Sequence, residues 1–214
     1  MLRTTLACVL FGLLALATSQ GLTRGFQVWT AEGARRLDLA LNPIPAPRIT
    51  MQSPGLAPQT LHELLANGHS VTLVDFVYTR CVTLCVALGS VFQQVQETIR
   101  RLPPADATTL RLSSISFDSA HDTLAVLQRF ASELRADPTL WRFARVADVA
   151  DQQRLLDLYQ VVVIADGQGG FDHNAALLVV DPVGRLIRAF DYTEMEAATV
   201  FARWVALEAG EAKQ

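Results

Sequence analysis

"VTLVDFVYTRCVTLC", residues 71–85, joins an apolar, β-branched run to two cysteines four residues apart. Val71–Val77 has the composition of a strand buried on both faces. Residues 86–101 carry a helical pattern that Pro103-Pro104 stops. The cysteines therefore stand at a strand-to-helix junction, at the carboxyl end of a central strand. In open α/β sheets, ligands and reactive groups gather at that end. Working outward, residues 60–66 read as a short helix ended by Asn67-Gly68. Strands are expected at 109–117, 140–145, 175–180 and 186–190, with a short extended piece at 161–164. Helices are expected at 123–136, 148–159 and 193–208. The last two strands are joined by "DPVG", which has Pro and Gly where a turn favours them. Alternating strands and helices, closed by a hairpin and a helix, define an α/β domain with a mixed central sheet flanked by helices.

At 214 residues, the chain has room for one such domain and an N-terminal extension. The net charge is −3 with no basic block, which excludes a nucleic-acid footprint. Residues 1–20 read as a signal peptide or an N-terminal membrane anchor. The apolar heart, Leu6–Ala17, is short for a membrane span, whereas Thr4 to Leu22 is uncharged throughout. Both readings place the folded domain outside the cytoplasm: periplasmic, or held on the outer face of the inner membrane. Residues 21–48 read as an extended connecting arm, because Pro43, Pro45 and Pro47 forbid helix there, with a short helix near 31–40. The domain itself is expected over 49–209.

Cys81 and Cys85 are the only cysteines outside the leader. The spacing predicts that they lie at and inside the first helical turn, on one face, about 6 Å apart. That is near the upper limit for a disulfide, and it also lets two sulfurs point at one metal ion. A helix N-terminus and the neighbouring Arg80 both favour thiolates. An exported pair tends to be oxidised unless something keeps it reduced. A third ligand must come from elsewhere. His62, His69 and His121 read as solvated or capping residues. His173 stands out in "GQGGFDHNAALLVV", a glycine-rich loop entering a buried strand. Asp118 and Asp122 lie where a helix begins, and Ser119 with Asp122 makes a pair like a capping box.

"DFVYTRCVTLC", "SSISFDSAHDTLAVLQRFA" and "FDHNAALLVVDPVGRLIRAF" resemble the Sco/SenC family of copper-binding cytochrome c oxidase assembly proteins. The resemblance covers residues 49–208 and implies a thioredoxin-like fold. It implies copper, as Cu(I), Cu(II) or both, held by Cys81, Cys85 and His173, with Asp118 and Asp122 as acidic positions near the metal. The same pair would form a redox-active disulfide. The partner implied is the copper-site subunit of a cytochrome c oxidase or another copper protein, with membrane contact through an uncleaved leader. Where the family usually has Pro after each cysteine, this chain has Val82 and Val86.

Two soft thiolates and an imidazole suit copper, and Cu(I) accepts three ligands. A structural zinc site would want a fourth. The competing reading is an exported thiol–disulfide oxidoreductase. Its usual Cys-x-x-Cys spacing, and the Pro such enzymes carry before the late strand, are absent here. A peroxidase related to peroxiredoxins would have Pro shortly before the reactive cysteine, and "DFVYTRC" has none.

Overall fold

The computed structural model describes residues 2–211 apart from 24, 27, 82, 83, 168 and 175, and it omits the side chains of 31 and 84–88. The chain divides into two compact units, residues 1–42 and 43–214.

In the first unit, α1 (Leu2–Leu22) has no buried residue. It is long and apolar enough to cross a membrane, and a signal sequence meets the same criterion. A second helix, α2 (Ala31–Leu41), forms within the segment expected to be an arm. Thr30 caps it by accepting a hydrogen bond from the Gly33 amide at 2.9 Å.

The second unit runs β1 (Ile44–Pro45), β2 (Thr50–Gln52), β3 (Gln59–Thr60), α3 (Leu61–Leu65), β4 (Val71–Val77), α4 (Leu84–Arg100), α5 (Pro104–Ala107), β5 (Leu110–Ser116), α6 (Leu124–Glu133), β6 (Trp141–Val146) and α7 (Val149–Leu158). It continues through β7 (Val163–Ala165), β8 (Phe171–His173), β9 (Ala176–Val180), β10 (Arg185–Asp191), a 3₁₀ turn and α8 (Met195–Glu211). The main sheet has the order β1-β10-β9-β4-β5-β6-β2-β3. Strands β4, β5 and β6 are parallel, and β9 and β10 continue the sheet antiparallel. Helices between parallel strands and a hairpin at the other edge give a thioredoxin-like fold, as expected.

All seven residues of β4 are buried, which explains its largely apolar composition, with Thr72 and Asp75 as the two polar residues. Phe92, Val95 and Ile99 recur at helical spacing along α4 and pack on Val71, Leu73, Leu110 and Leu112. Ala198, Ala202 and Ala206 give α8 a small-residue face on the same core. Gly89 lets α4 approach α6 closely, because a Cβ there would lie 2.8 Å from the Leu134 side chain.

Two features depart from the sequence pattern. The edge strands β1, β2 and β3 are two or three residues long, too short to show a period of two. The segment around His173, expected to be a loop, contains β8. This strand pairs with β7 in a separate two-stranded sheet, with His173 opposite Val163.

Candidate metal centre

Strand β4 delivers the chain to the cysteine segment, and the acidic residues after β5 hold that segment. Beyond Val77 the backbone turns, and the Cys81 amide donates to the Tyr78 carbonyl at 3.3 Å. Cys81 is buried, with 7% of its surface exposed. Helix α4 starts at Leu84, so Cys81 precedes it and Cys85 is its second residue. The i, i+4 pairing of the two cysteines expected on one helix face rests on residues outside the described ones. Val82, Thr83 and the Cys85 side chain lie outside the described residues.

The reason for this turn is visible in Asp122. Its fully buried carboxylate accepts from the Thr79 amide (3.1 Å), the Thr79 hydroxyl (2.5 Å) and the Ser116 hydroxyl (2.6 Å). Asp118 accepts from Arg80 Nη2 at 2.8 Å and lies 2.8 Å from His121 Nδ1. The two residues before Cys81 are thus clamped by the two acids. Asp118 raises the pKa of the Arg80 guanidinium, chiefly through this hydrogen bond, so a fixed positive charge stands next to Cys81. The capping reading of the acids is corrected: Thr123 caps α6, accepting from the Val126 amide, and Ser119 bonds Gln152 instead. His121, read as solvated or capping, is exposed and also contacts Asp118.

His173 ends β8, on the far arm of the β7–β8 hairpin. Tyr78, three residues before Cys81, grips this arm. Its hydroxyl accepts from the Phe171 amide and donates to the Phe171 carbonyl, both at 3.1 Å. The rings of Tyr78, Phe117, Phe171 and His173 form one cluster. His173 lies 5.0 Å from Phe117 and 6.3 Å from Tyr78, centroid to centroid. Phe171 meets Tyr78 edge-on at 5.3 Å. The turn is close at Gly170: a Cβ there would sit 2.5 Å from the Asp166 carboxylate, which would have to swing away. Next to His173, Asn174 accepts from the Val162 amide and donates to the Gln160 carbonyl, which pins the base of the hairpin. Burial lowers the His173 pKa, which favours the neutral imidazole a metal requires.

The structure therefore ties His173, Asp118 and Asp122 to the segment that carries Cys81. Among the described residues, no three His, Cys, Asp or Glu side chains converge as a metal cluster. His62 and His69 belong to α3 and the turn after it, apart from this assembly. Sequence reasoning missed Tyr78, Phe117 and Phe171. The available signal was an aromatic residue immediately after each of two buried strands and another beside the histidine.

A thioredoxin-like domain with a buried cysteine at the β4–α4 junction, a histidine hairpin and an acid-clamped loop defines a class of thioredoxin-like proteins with a thiol at the strand-to-helix junction. The family model described as SCO1/SenC matches residues 65–207, and the chain belongs to that family. It is 24% identical over 128 residues to the SCO1 protein homolog of Bacillus subtilis; the match spans 59% of this chain and 63% of that relative, just under two-thirds of its length. Bradyrhizobium japonicum ScoI, solved with copper bound, superposes with a TM-score of 0.61 at 22% identity, over 76% of this chain and 99% of that one. BsSco is described as a member of the Sco family of cytochrome c oxidase assembly proteins in which a disulfide switch was identified. It gives a TM-score of 0.64 at 19% identity, over 78% of this chain and 95% of that one.

Proposed function

We propose that this protein binds copper through Cys81, Cys85 and His173 and acts as a metallochaperone in assembling the copper centre of a cytochrome c oxidase. The observation that carries this reading is the grip of Tyr78 on the His173 strand, which couples the histidine hairpin to the cysteine segment. Family membership and the copper-bound relative support it.

The donor set fits the metal. Thiolates and imidazole are the ligands copper prefers, and three donors leave Cu(I) open to an incoming ligand. An acceptor thiolate can then attack before a protein ligand departs, so hand-over needs no free ion. The neutral His173 imidazole enters coordination without first losing a proton. The Arg80 charge favours thiolate at Cys81. Oxidation by a disulfide of the medium would join Cys81 to Cys85, release two protons and pass two electrons to that disulfide. The joined pair would no longer hold copper through sulfur. The apolar α1 supports export, with the domain on the outer side of the inner membrane. Asp118 and Asp122 act here by fixing the turn rather than by touching the metal.

Reduced protein loaded with copper without oxygen should retain about one copper per chain. His173→Ala should weaken copper binding at least tenfold, or ~1.4 kcal/mol, with little change in stability. Cu(II) should suffer more than Cu(I), because two thiolates in line satisfy Cu(I) alone. The sulfur-to-Cu(II) charge-transfer band reads this directly, and an unchanged band and affinity in His173→Ala would remove His173 from the site. The alternative, an exported thiol–disulfide oxidoreductase, is favoured by the thioredoxin-like fold itself. It predicts an empty metal site and insulin reduction that survives His173→Ala but not Cys81→Ser.

A further inference from the structure

A cavity of about 590 Å³ opens at the other end of β4, lined by residues at the starts of the parallel strands. Thr72 lies about 17 Å along the strand from Val77, beyond which the cysteine segment begins. Across the parallel ladder Thr72 stands opposite Arg111, and Ser113 stands opposite Arg142, so the four share one sheet face. Arg111 donates to the carbonyls of Thr108 and Leu110, and neither arginine has an acidic partner among the described residues. Burial and then the Arg142 charge lower the Arg111 pKa, as expected of two cations facing one space. The hydroxyls of Thr72 and Ser113 are buried with no hydrogen-bond partner among the described residues. Glu63 also lines the cavity, but its carboxylate is held by the Thr60 amide and hydroxyl at the cap of α3.

A part-buried guanidinium such as Arg111 without an acidic partner, and unsatisfied buried hydroxyls, each carry a desolvation cost. One ligand chemistry resolves both. An oxyanion with several acceptor oxygens takes bidentate bonds from guanidinium and single bonds from hydroxyls. The cavity is larger than a phosphate needs, and Leu64, Leu112, Ala206 and Ala209 give it an apolar wall for an organic remainder. We propose that this cavity is a binding site for a phosphate monoester, with Arg111 and Arg142 holding the phosphoryl oxygens and Thr72 and Ser113 donating to them. The site is separate from the cysteine segment and stands independently of the copper reading.

The test uses the full chain in a neutral detergent, titrated with inorganic phosphate, sn-glycerol 3-phosphate and a short-chain phosphatidic acid. At least one should raise the melting temperature and bind saturably. Arg142→Gln, at an exposed position, should weaken that binding at least tenfold while leaving copper loading unchanged. Thr72→Val with Ser113→Ala should melt higher than wild type without phosphate and gain less from it. Equal binding of all three probes would assign a free phosphate group, and preference for phosphatidic acid a lipid headgroup. Absence of saturable binding with every probe overturns the site, as does binding unchanged in both Arg142→Gln and Arg111→Gln.

Discussion

Asp122→Ala should loosen the cysteine segment and cost on the order of 3 kcal/mol of stability. The carboxylate is fully buried and accepts three hydrogen bonds, two from Thr79 and one from Ser116. Bonds to a charged acceptor are the strong kind, and alanine leaves the Thr79 amide and the Ser116 hydroxyl without their partner. The loss should appear as a lower urea midpoint with an unchanged slope. Copper affinity should fall as well, since Thr79 lies two residues before Cys81 and its turn aims the segment. Asp122→Asn keeps the shape and one acceptor oxygen, so it should fall between wild type and alanine. Arg80→Gln is the contrasting change. Its partner Asp118 is buried but the arginine is 41% exposed, so stability should move far less than in Asp122→Ala. An Asp122→Ala protein with wild-type midpoint and copper affinity would show that the latch does not position the site.

The same contrast explains what the sequence made legible. Elements with a long apolar period were readable: β4 as a largely apolar buried strand, and α4 through Phe92, Val95 and Ile99. "DPVG" was readable because Gly184 has a φ of +83° and Asp181 accepts from the Val183 and Arg185 amides. Cys81 and His173 stood out by chemistry alone, without any geometry. Their placement was not readable. Cys81 was assigned to a helical turn because a helix follows closely, yet the bonds that pull Thr79 and Arg80 out of helix come from residues 43 and 38 positions away. Such bonds leave no local pattern. Residues 171–173 are too few for their alternation to read as a strand, and β8 is fixed by Tyr78, by pairing with β7 and by the packing of Phe171 and His173 on Phe117. Asp118 and Asp122 were legible as important acids, but the helix start beside them suggested capping, which Thr123 performs.

Wild type should lose stability relative to Asp75→Asn as pH rises from about 4 to about 7. Asp75 sits in the middle of β4, fully buried, and neither carboxyl oxygen has a hydrogen-bond partner among the described residues. Its neighbour across the ladder, Ser114, opposes the shift without reaching hydrogen-bond geometry, and accepts instead from Trp141 Nε1 at 2.9 Å. Burial pushes the Asp75 pKa from 3.8 up to about 7. The sign follows from proton uptake. Between these values the folded chain keeps a proton that the unfolded chain has released, so raising the pH favours unfolding. Below about 4 both states are protonated and the residue adds no pH dependence; above about 7 both are ionised and the penalty is complete. Three pKa units correspond to on the order of 4 kcal/mol. Asn is neutral throughout and carries its own cost, because its amide donors are buried in the same place. That cost does not vary with pH, so the slope rather than the absolute stability is the measurement. Urea midpoints from pH 4 to pH 8 should fall for wild type relative to Asp75→Asn, and parallel curves would mean that Asp75 does not retain its proton in the fold. A carboxylic acid whose pKa burial raises to about 7, within the strand that leads to Cys81, contributes most to stability on the acid side of neutrality.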